Sequence, residues 1–399
     1  MNSDLAGKIP FKYHPLNLPP GQNSSDAAIS DHIIKRDTLK ILSYNLYMRP
    51  PPVKTNESDF KDARLEEFVH HFEDYDVICN QEVFTTLNSR KQKLITYAHR
   101  AGFMYHCISD PPPFFSGYAT DGGLVILSRF PIIEHEFSPY PYGVLSDSLS
   151  YKGVLYAKIS VGENRIMHVF NTHTQASYYG TDLANFLASF EVRYMQLRCA
   201  RKFVEQKTQN AHENDLILFV GDFNANGQKD NAKAKAFREQ VKHRPGFDEL
   251  LDEMENEYKS MIEILSGHGE DQIIDCAKIA NNGESPITYA DIDTDFQGNV
   301  VPRETILTDA EDLKTTQSLD YVFEIKRKHL QQTQKKQSPV KSSKNGQESK
   351  AKEGNGKNGS EQKLEVLVKE TVVEKFFVEG HKFTQLSDHY GISTQIQII

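Results

Sequence analysis

The 399 residues supply ample material for a core, enough for one large domain or two ordinary ones. With 38% hydrophobic and 25% charged residues the composition is that of a soluble globular protein, and no run approaches the ~18–20 apolar residues of a membrane span. A formal net charge of −9 argues against a general nucleic-acid binder, though not against a nuclease whose metal ion neutralises phosphate locally.

Residues 1–37 read as an extended, partly disordered tail. Pro10, Pro15, Pro19, Pro20 and Gly21 break it, and it has no apolar stretch of the secretory type. Thr38–Tyr47 (TLKILSYNLY) is the first strand, ended by Pro50–Pro52. Leu65, Phe68, Val69 and Phe72 fall at helical spacing and predict an amphipathic helix over Ala63–Tyr75. A short strand, Asp76–Val83, runs into Glu82, and a helix follows over Ser89–Arg100. Strands are expected near Tyr105–Ile108 and Leu124–Leu127, with a loop carrying Pro111–Pro113 and Phe114–Phe115 between them.

Gly153–Val161 and Arg165–Asn171 read as a hairpin whose second strand delivers His173, and Asp182–Gln206 as a long helix. Leu216–Gly227 (LILFVGDFNANG) is the stretch on which the chain is organised. An unbroken apolar run closed by Gly221 reads as a strand buried on both faces, and Asp222 and Asn224 then share a face at its exit. A helix over Phe247–Leu265 is expected next, then strands at Leu319–Ile325 and Val372–Val378, and an edge strand at the carboxyl end. Alternating strands and helices indicate a layered α/β domain of two packed sheets or one large one. The four cysteines, Cys79, Cys107, Cys199 and Cys276, lack metal spacing and read as buried free thiols.

Lys326–Lys363 holds eleven Lys and Arg against three Glu and is rich in Ser, Gly, Asn and Gln. It reads as a disordered basic insertion at about 327–363 that interrupts a single domain spanning 38–399. Attraction of this segment to anionic lipid is worth at most ~1 kcal/mol per basic residue.

Six strand ends carry polar groups: Asn45, Glu82, His173, Asp222 with Asn224, Asp320, and Asp388-His389. Each alone has an ordinary structural explanation, such as an Asx turn at Asp222. Converging on one sheet rim, the set offers oxygen ligands for Mg²⁺, two imidazoles and amide donors for a developing phosphorane.

In order and motif by motif, the series resembles the endonuclease/exonuclease/phosphatase superfamily. GDFNANG and SDH are common to many of its branches, and DGGLVILSRFPI has the same general look. NLYMRP, NTHTQAS and SDSLSYKGVLYAKI are similar to the neutral sphingomyelinase branch, in which an Asp and a Lys stand five apart, here Asp147 and Lys152. The resemblance covers about Thr38–Lys326 and Val372–Ile399. It implies a four-layer α/β/β/α sandwich of two mixed sheets flanked by helices.

It further implies a Mg²⁺-dependent phosphodiesterase, Mn²⁺ substituting, that cleaves sphingomyelin to ceramide and phosphocholine. Glu82 would be the central metal ligand, supported by Asn45. His389 would be the general base, oriented by Asp320. Asp222 would position the attacking water or a second metal. Asn224, also counted among the metal ligands, and His173 would donate to the phosphoryl oxygens, and Asp388 would contact metal or phosphate. Asp147 and Lys152 would form a gate, the lysine pairing with the aspartate in one state and a cleft group in the other. A nuclease of the same fold and an inactive membrane-binding module are the alternatives.

Unlike many secreted relatives, the chain lacks an apolar hairpin with Trp; it has no Trp at all. Membrane contact is therefore expected from charge, or from Phe114–Phe115, Tyr178–Tyr179 or Phe376–Phe377, pairs that more often lie in cores. Tyr47 and Tyr178 are the nearest faces for a choline group. The expected protein is a cytoplasmic monomer, peripheral at membranes and binding no nucleic acid, or an extracellular one if an upstream signal is removed.

Overall fold

The computed structural model describes residues 37–399 other than 56–58, 163, 179–182, 229–231, 244–251, 253–254, 329 and 331–362. The tail, nearly all of the basic insertion, Tyr179 and the first part of the helix expected over Phe247–Leu265 lie outside the described residues.

In chain order the elements are β1 (Thr38–Met48), α1 (Lys61–Val69), β2 (Val77–Val83), α2 (Arg90–Arg100), β3 (Tyr105–Ile108), β4 (Val125–Ser128) and β5 (Ile132–Pro139). Then come β6 (Gly153–Ser160), β7 (Ile166–His173), α3 (Leu183–Thr208), β8 (Leu216–Asp222), α4 (Ala232–Val241), α5 (Glu257–Leu265), β9 (Asp271–Asp275) and α6 (Cys276–Ala280). The last are β10 (Ile292–Thr294), β11 (Val300–Pro302), β12 (Asp320–Arg327), β13 (Leu364–Glu374) and β14 (Gly391–Ile398). Two six-stranded sheets result, ordered β13-β14-β1-β2-β4-β3 and β5-β6-β7-β8-β12-β9. Both are mixed: β1 runs parallel to β2 and β7 to β8, while the other pairs are antiparallel.

Alternation along the strands builds the layers. Leu39 and Ile41 of β1, Val169 of β7, and Leu218 and Val220 of β8 pack between the sheets. Their neighbours point outward: Leu42, Tyr44 and Leu46 onto Leu65 and Phe68 of α1 and Leu94 of α2. On the other side Ile217, Phe219 and Phe323 meet Leu197 and Phe203 of α3 and Met261 of α5. This is the four-layer sandwich. All four cysteines are free, three of them buried.

Three expectations are corrected and one strand was missed. The strand expected over Val372–Val378 begins earlier and ends at Glu374, as Leu364–Glu374. The carboxyl-terminal strand β14 is not an edge but lies between β13 and β1, because Leu364–Glu374 pairs along its outer side. The helix expected over Ala63–Tyr75 stops at Val69, and Phe72–Asp74 forms a separate 3₁₀ turn that still buries Phe72. Strand β5 was not expected, since only Ile132 and Phe137 of its eight residues are buried and the run reads as polar.

A buried amide joins the two sheets. Asn171 of β7 accepts from Gln81 Nε2 of β2 at 2.7 Å and donates to the carbonyls of Asn80 (3.0 Å) and Val125 (3.2 Å). Asn171→Ala strands these partners out of water and is expected to cost about 2–4 kcal/mol in urea unfolding. A loss under ~1 kcal/mol would mean water replaces the amide.

Candidate active site

The inward faces that are apolar in mid-sheet become polar at one end. Leu39, Ile41 and Asn45 share one face of β1, as do Val169, Asn171 and His173 on β7 and Leu218, Val220 and Asp222 on β8. Register sets them side by side: Asn45 opposes Gln81, His173 opposes Asp222, and Asp222 opposes Asp320. The residues before β14 bring Asp388 and His389 to the same rim. Gly221 makes the crowding feasible: its φ is 139°, and a Cβ there would meet the Thr172 carbonyl oxygen at 2.1 Å.

A cleft of about 580 Å³ opens at this rim, lined by Glu82, Asp147, Lys152, His173, Asp222, Asn224, Asp388 and His389, with Asn45 and Asp320 directly behind. Every residue expected at the site from the sequence is therefore brought together. Asn45 Nδ2 donates to Glu82 Oε1 (3.2 Å) and Asp222 Oδ2 (3.0 Å). His389 Nδ1 lies 2.9 Å from Asp320 Oδ2, and its Nε2 faces Asp222 Oδ2 at 3.7 Å. His173 Nε2 lies 3.6 Å from Asp222 and 3.9 Å from Glu82. Asp222 Oδ1 accepts the Asn224 N–H at 3.0 Å, an Asx turn with Asn224 at φ 49°, so the turn and the site are one object. One N–H of the Asn224 amide is given to the Thr174 carbonyl.

Lys152 is nearly fully buried and holds three partners at once. Its Nζ lies 2.8 Å from Asp147 Oδ1, 3.2 Å from His173 Nε2 and 2.9 Å from the Thr174 carbonyl. The two positions imagined for the lysine, on Asp147 or on a cleft group, coexist here. Asp147 Oδ2 also accepts the Ala176 N–H.

Several supports carried no sequence signal. Arg64, fully buried on α1, donates to the carbonyls of Leu46, Tyr47 and Leu386 and so clamps the end of β1 to the Ser387–His389 turn. Thr288 Oγ1 accepts the N–H groups of Leu319 and Asp320, and the ring of Tyr289 packs 4.9 Å from that of His389. These residues sit in helices or loops of ordinary composition, far in sequence from what they hold.

The donor set suits a divalent cation. Ligand atoms of Glu82, His173 and Asp222 lie within 4.8 Å of one another, as do those of Asp222, Asp320 and His389. Glu82 Oε2 and Asp320 Oδ1 are buried without a hydrogen-bond partner. Buried carboxylate oxygens left without a partner are what a hard cation satisfies. Charge leans the same way. Burial, then the charges of Asp320 and Glu82, push the Asp222 carboxyl up to about 7 against the pull of His389 and Asn45. Burial and Glu82 push Asp388 up to about 8. Burial opposes the charged form of His389, but the Asp320 and Asp222 carboxylates outweigh it and hold the ring protonated well above its usual range. Burial, Lys152 and His389 keep His173 neutral well below that range.

A pH dependence follows. Unfolded Asp is ionised above about pH 4 and unfolded His neutral above about pH 6.5, whereas Asp222, Asp388 and His389 keep protons in the metal-free fold to higher pH. Between about pH 6.5 and 8 the native state binds more protons than the unfolded one, so its stability falls as pH rises. His173 opposes the trend only below this window. In EDTA, Tm is expected to fall across the window, and Mg²⁺ to raise it more at the alkaline end, where fewer protons need displacing. A metal-free Tm that climbs with pH contradicts this reading of the charges.

The endonuclease/exonuclease/phosphatase family profile matches residues 42–240. A sphingomyelinase of Dictyostelium discoideum is 31% identical over 476 residues, spanning 90% of this chain and 99% of that protein. Sphingomyelinase C of Bacillus cereus is 28% identical over 202 residues, 48% of this chain and 58% of the relative. Among solved structures, sphingomyelinase C from Streptomyces griseocarneus has a TM-score of 0.53 at 20% identity, covering 90% of this chain and 99% of that one. A Staphylococcus aureus beta-toxin mutant with bound magnesium ions scores 0.53 at 20% identity, covering 89% and 98%. The two structures speak to fold and the Dictyostelium relative to lineage: the chain belongs to the endonuclease/exonuclease/phosphatase family, in its sphingomyelinase branch.

Proposed function

We propose that this cleft hydrolyses sphingomyelin to ceramide and phosphocholine with Mg²⁺, Mn²⁺ substituting. One observation carries the reading: the His389–Asp320 pair and the Glu82 and Asp222 carboxylates meet at a single rim in a chain matched across 90% of its length by a sphingomyelinase.

Glu82, backed by Asn45, and Asp222 would hold the ion, with Asp388 and Asn224 beside them. Bound there, the ion would supply charge neutralisation to the phosphodiester and would offset the carboxylates that keep His389 protonated. Asp320 fixes the His389 ring through Nδ1, leaving Nε2 toward the cleft to take a proton from the attacking water. The water oxygen bonds to phosphorus as its proton passes to His389 Nε2, the bond from phosphorus to the ceramide oxygen breaks, and that oxygen leaves as alkoxide and takes a proton from solvent. Lys152, whose Nζ donates to His173 Nε2 and is positioned by it, and the free N–H of Asn224 face the phosphoryl oxygens as their charge grows. Lys152→Ala is expected to lower kcat about 10²-fold; unchanged turnover removes Lys152, and any gate built on it, from the account.

The substrate lies in a bilayer, so the protein acts as a peripheral membrane enzyme. The test offers sphingomyelin vesicles, phosphatidylcholine vesicles and plasmid DNA, each with Mg²⁺ and with EDTA. Mg²⁺-dependent phosphocholine release from sphingomyelin with intact plasmid is expected. Nicked plasmid without phosphocholine would move the enzyme to the nucleases of this fold.

A further inference from the structure

Three loops beside the cleft expose apolar side chains that the fold does not use. Phe114 and Phe115 are 95% and 104% exposed, at the apex of a turn closed by the Ser116 N–H on the Pro113 carbonyl and stiffened by Pro111–Pro113. Leu87 is 82% exposed, and Tyr142 and Leu149 are each about half exposed. Leu87 and Phe115 adopt the left-handed region, at φ 56° and 63°. Bulky residues avoid that region, and its cost is met here at two side chains that make no core contact.

The loops form one continuous rim. Thr86 Oγ1 donates to the Ala119 carbonyl, and the Ala119 and Thr120 N–H groups both donate to the Leu149 carbonyl. The rim reaches the cleft through its third loop, since Ser146 and Asp147, within the Leu145–Leu149 turn, line the cleft itself. In a chain that is 25% charged, segments 84–88, 111–120 and 139–149 hold a single charged residue, Asp147, whose carboxylate is turned onto Lys152 and the Ala176 N–H. An uncharged, aromatic-tipped rim around a cleft for a lipid phosphodiester suits a bilayer of zwitterionic lipid, where rings enter the headgroup boundary and no counter-charge is needed.

We propose that this rim, led by Phe114 and Phe115, docks the protein on a zwitterionic bilayer and sets the cleft mouth against the lipid surface. The proposal rests on the phospholipid reading of the cleft, and its test separates the two.

Flotation with vesicles of equal sphingomyelin and phosphatidylcholine, in EDTA so that nothing is cleaved, measures docking alone. The full chain is expected to bind, and raising NaCl from 0.1 to about 0.5 M is expected to leave binding within about twofold. The double variant Phe114→Ser, Phe115→Ser, with an unchanged melting temperature, is expected to lose about tenfold or more in partition. With Mg²⁺, the variant is expected to lose a similar factor on vesicles while cleaving a water-soluble short-chain sphingomyelin at the wild-type rate. Equal partition of variant and wild type, or binding abolished by salt, overturns the docking surface. Absence of turnover on the soluble substrate by the wild type overturns the cleft reading and leaves the flotation result standing.

Discussion

His389→Ala is expected to lower kcat about 10³-fold, within the range that a positioned base contributes. The ring is buried, its Nδ1 is held 2.9 Å from Asp320 Oδ2, and its Nε2 opens toward Asp222 and the cleft. Removing the imidazole leaves water without its proton acceptor, and it relieves Asp222 of the cation that pulls its pKa down. The ring is assigned to proton transfer and not to holding the lipid, so the loss should fall on kcat with KM within a few-fold. Asp320→Asn serves as the companion: it keeps the ring in place but removes the negative charge behind it, and a smaller loss is expected. Wild-type turnover in His389→Ala would exclude this residue from the chemistry.

The second large effect is at Glu82. Glu82→Gln keeps the shape and the hydrogen bond from Asn45 but removes one carboxylate charge from the proposed ion site. Loss of several kcal/mol of charge stabilisation corresponds to roughly 10²–10³ in rate at saturating Mg²⁺, with the Mg²⁺ dependence displaced to higher concentration. The stability readout should move the other way. Glu82 is among the charges that burden Asp222 and Asp388 in the metal-free protein. Glu82→Gln in EDTA is therefore expected to melt at or above the wild-type temperature near pH 8, and Mg²⁺ should stabilise it less. A variant that loses both activity and metal-free stability would mark Glu82 as a structural residue.

The sequence made the strands of the site legible because apolar runs ended in polar groups at recognisable motifs. Leu216–Asp222 and Ile166–His173 show this most plainly. It did not show how Glu82 reaches the cleft. Strict alternation along β2 sets Glu82 with Ile78, on the side facing the helices, but a left-handed backbone at φ 58° turns it toward Asn45 and His173. Alternation carries no information about such a kink. Position in a sheet was equally hidden: β14 reads as an edge until Leu364–Glu374, the strand just after the basic insertion, is seen to pair with it. The aromatic pairs divided on grounds that composition does not supply. Phe376 is buried against Tyr44 and Phe68, Phe377 is about half exposed, and Phe114–Phe115 stand in solvent because a proline-stiffened turn holds them clear of both sheets. Arg64 and Tyr289 act on groups far away in sequence, so nothing local marks them.

Every role assigned above serves to direct water onto phosphorus. Hydrolysis of sphingomyelin in H₂¹⁸O, read by mass spectrometry of both products, shows which bond breaks. One ¹⁸O in each phosphocholine and none in ceramide, with release only when Mg²⁺ is present, is the predicted result. Label in the ceramide, or no phosphocholine with Mg²⁺ supplied, would contradict it.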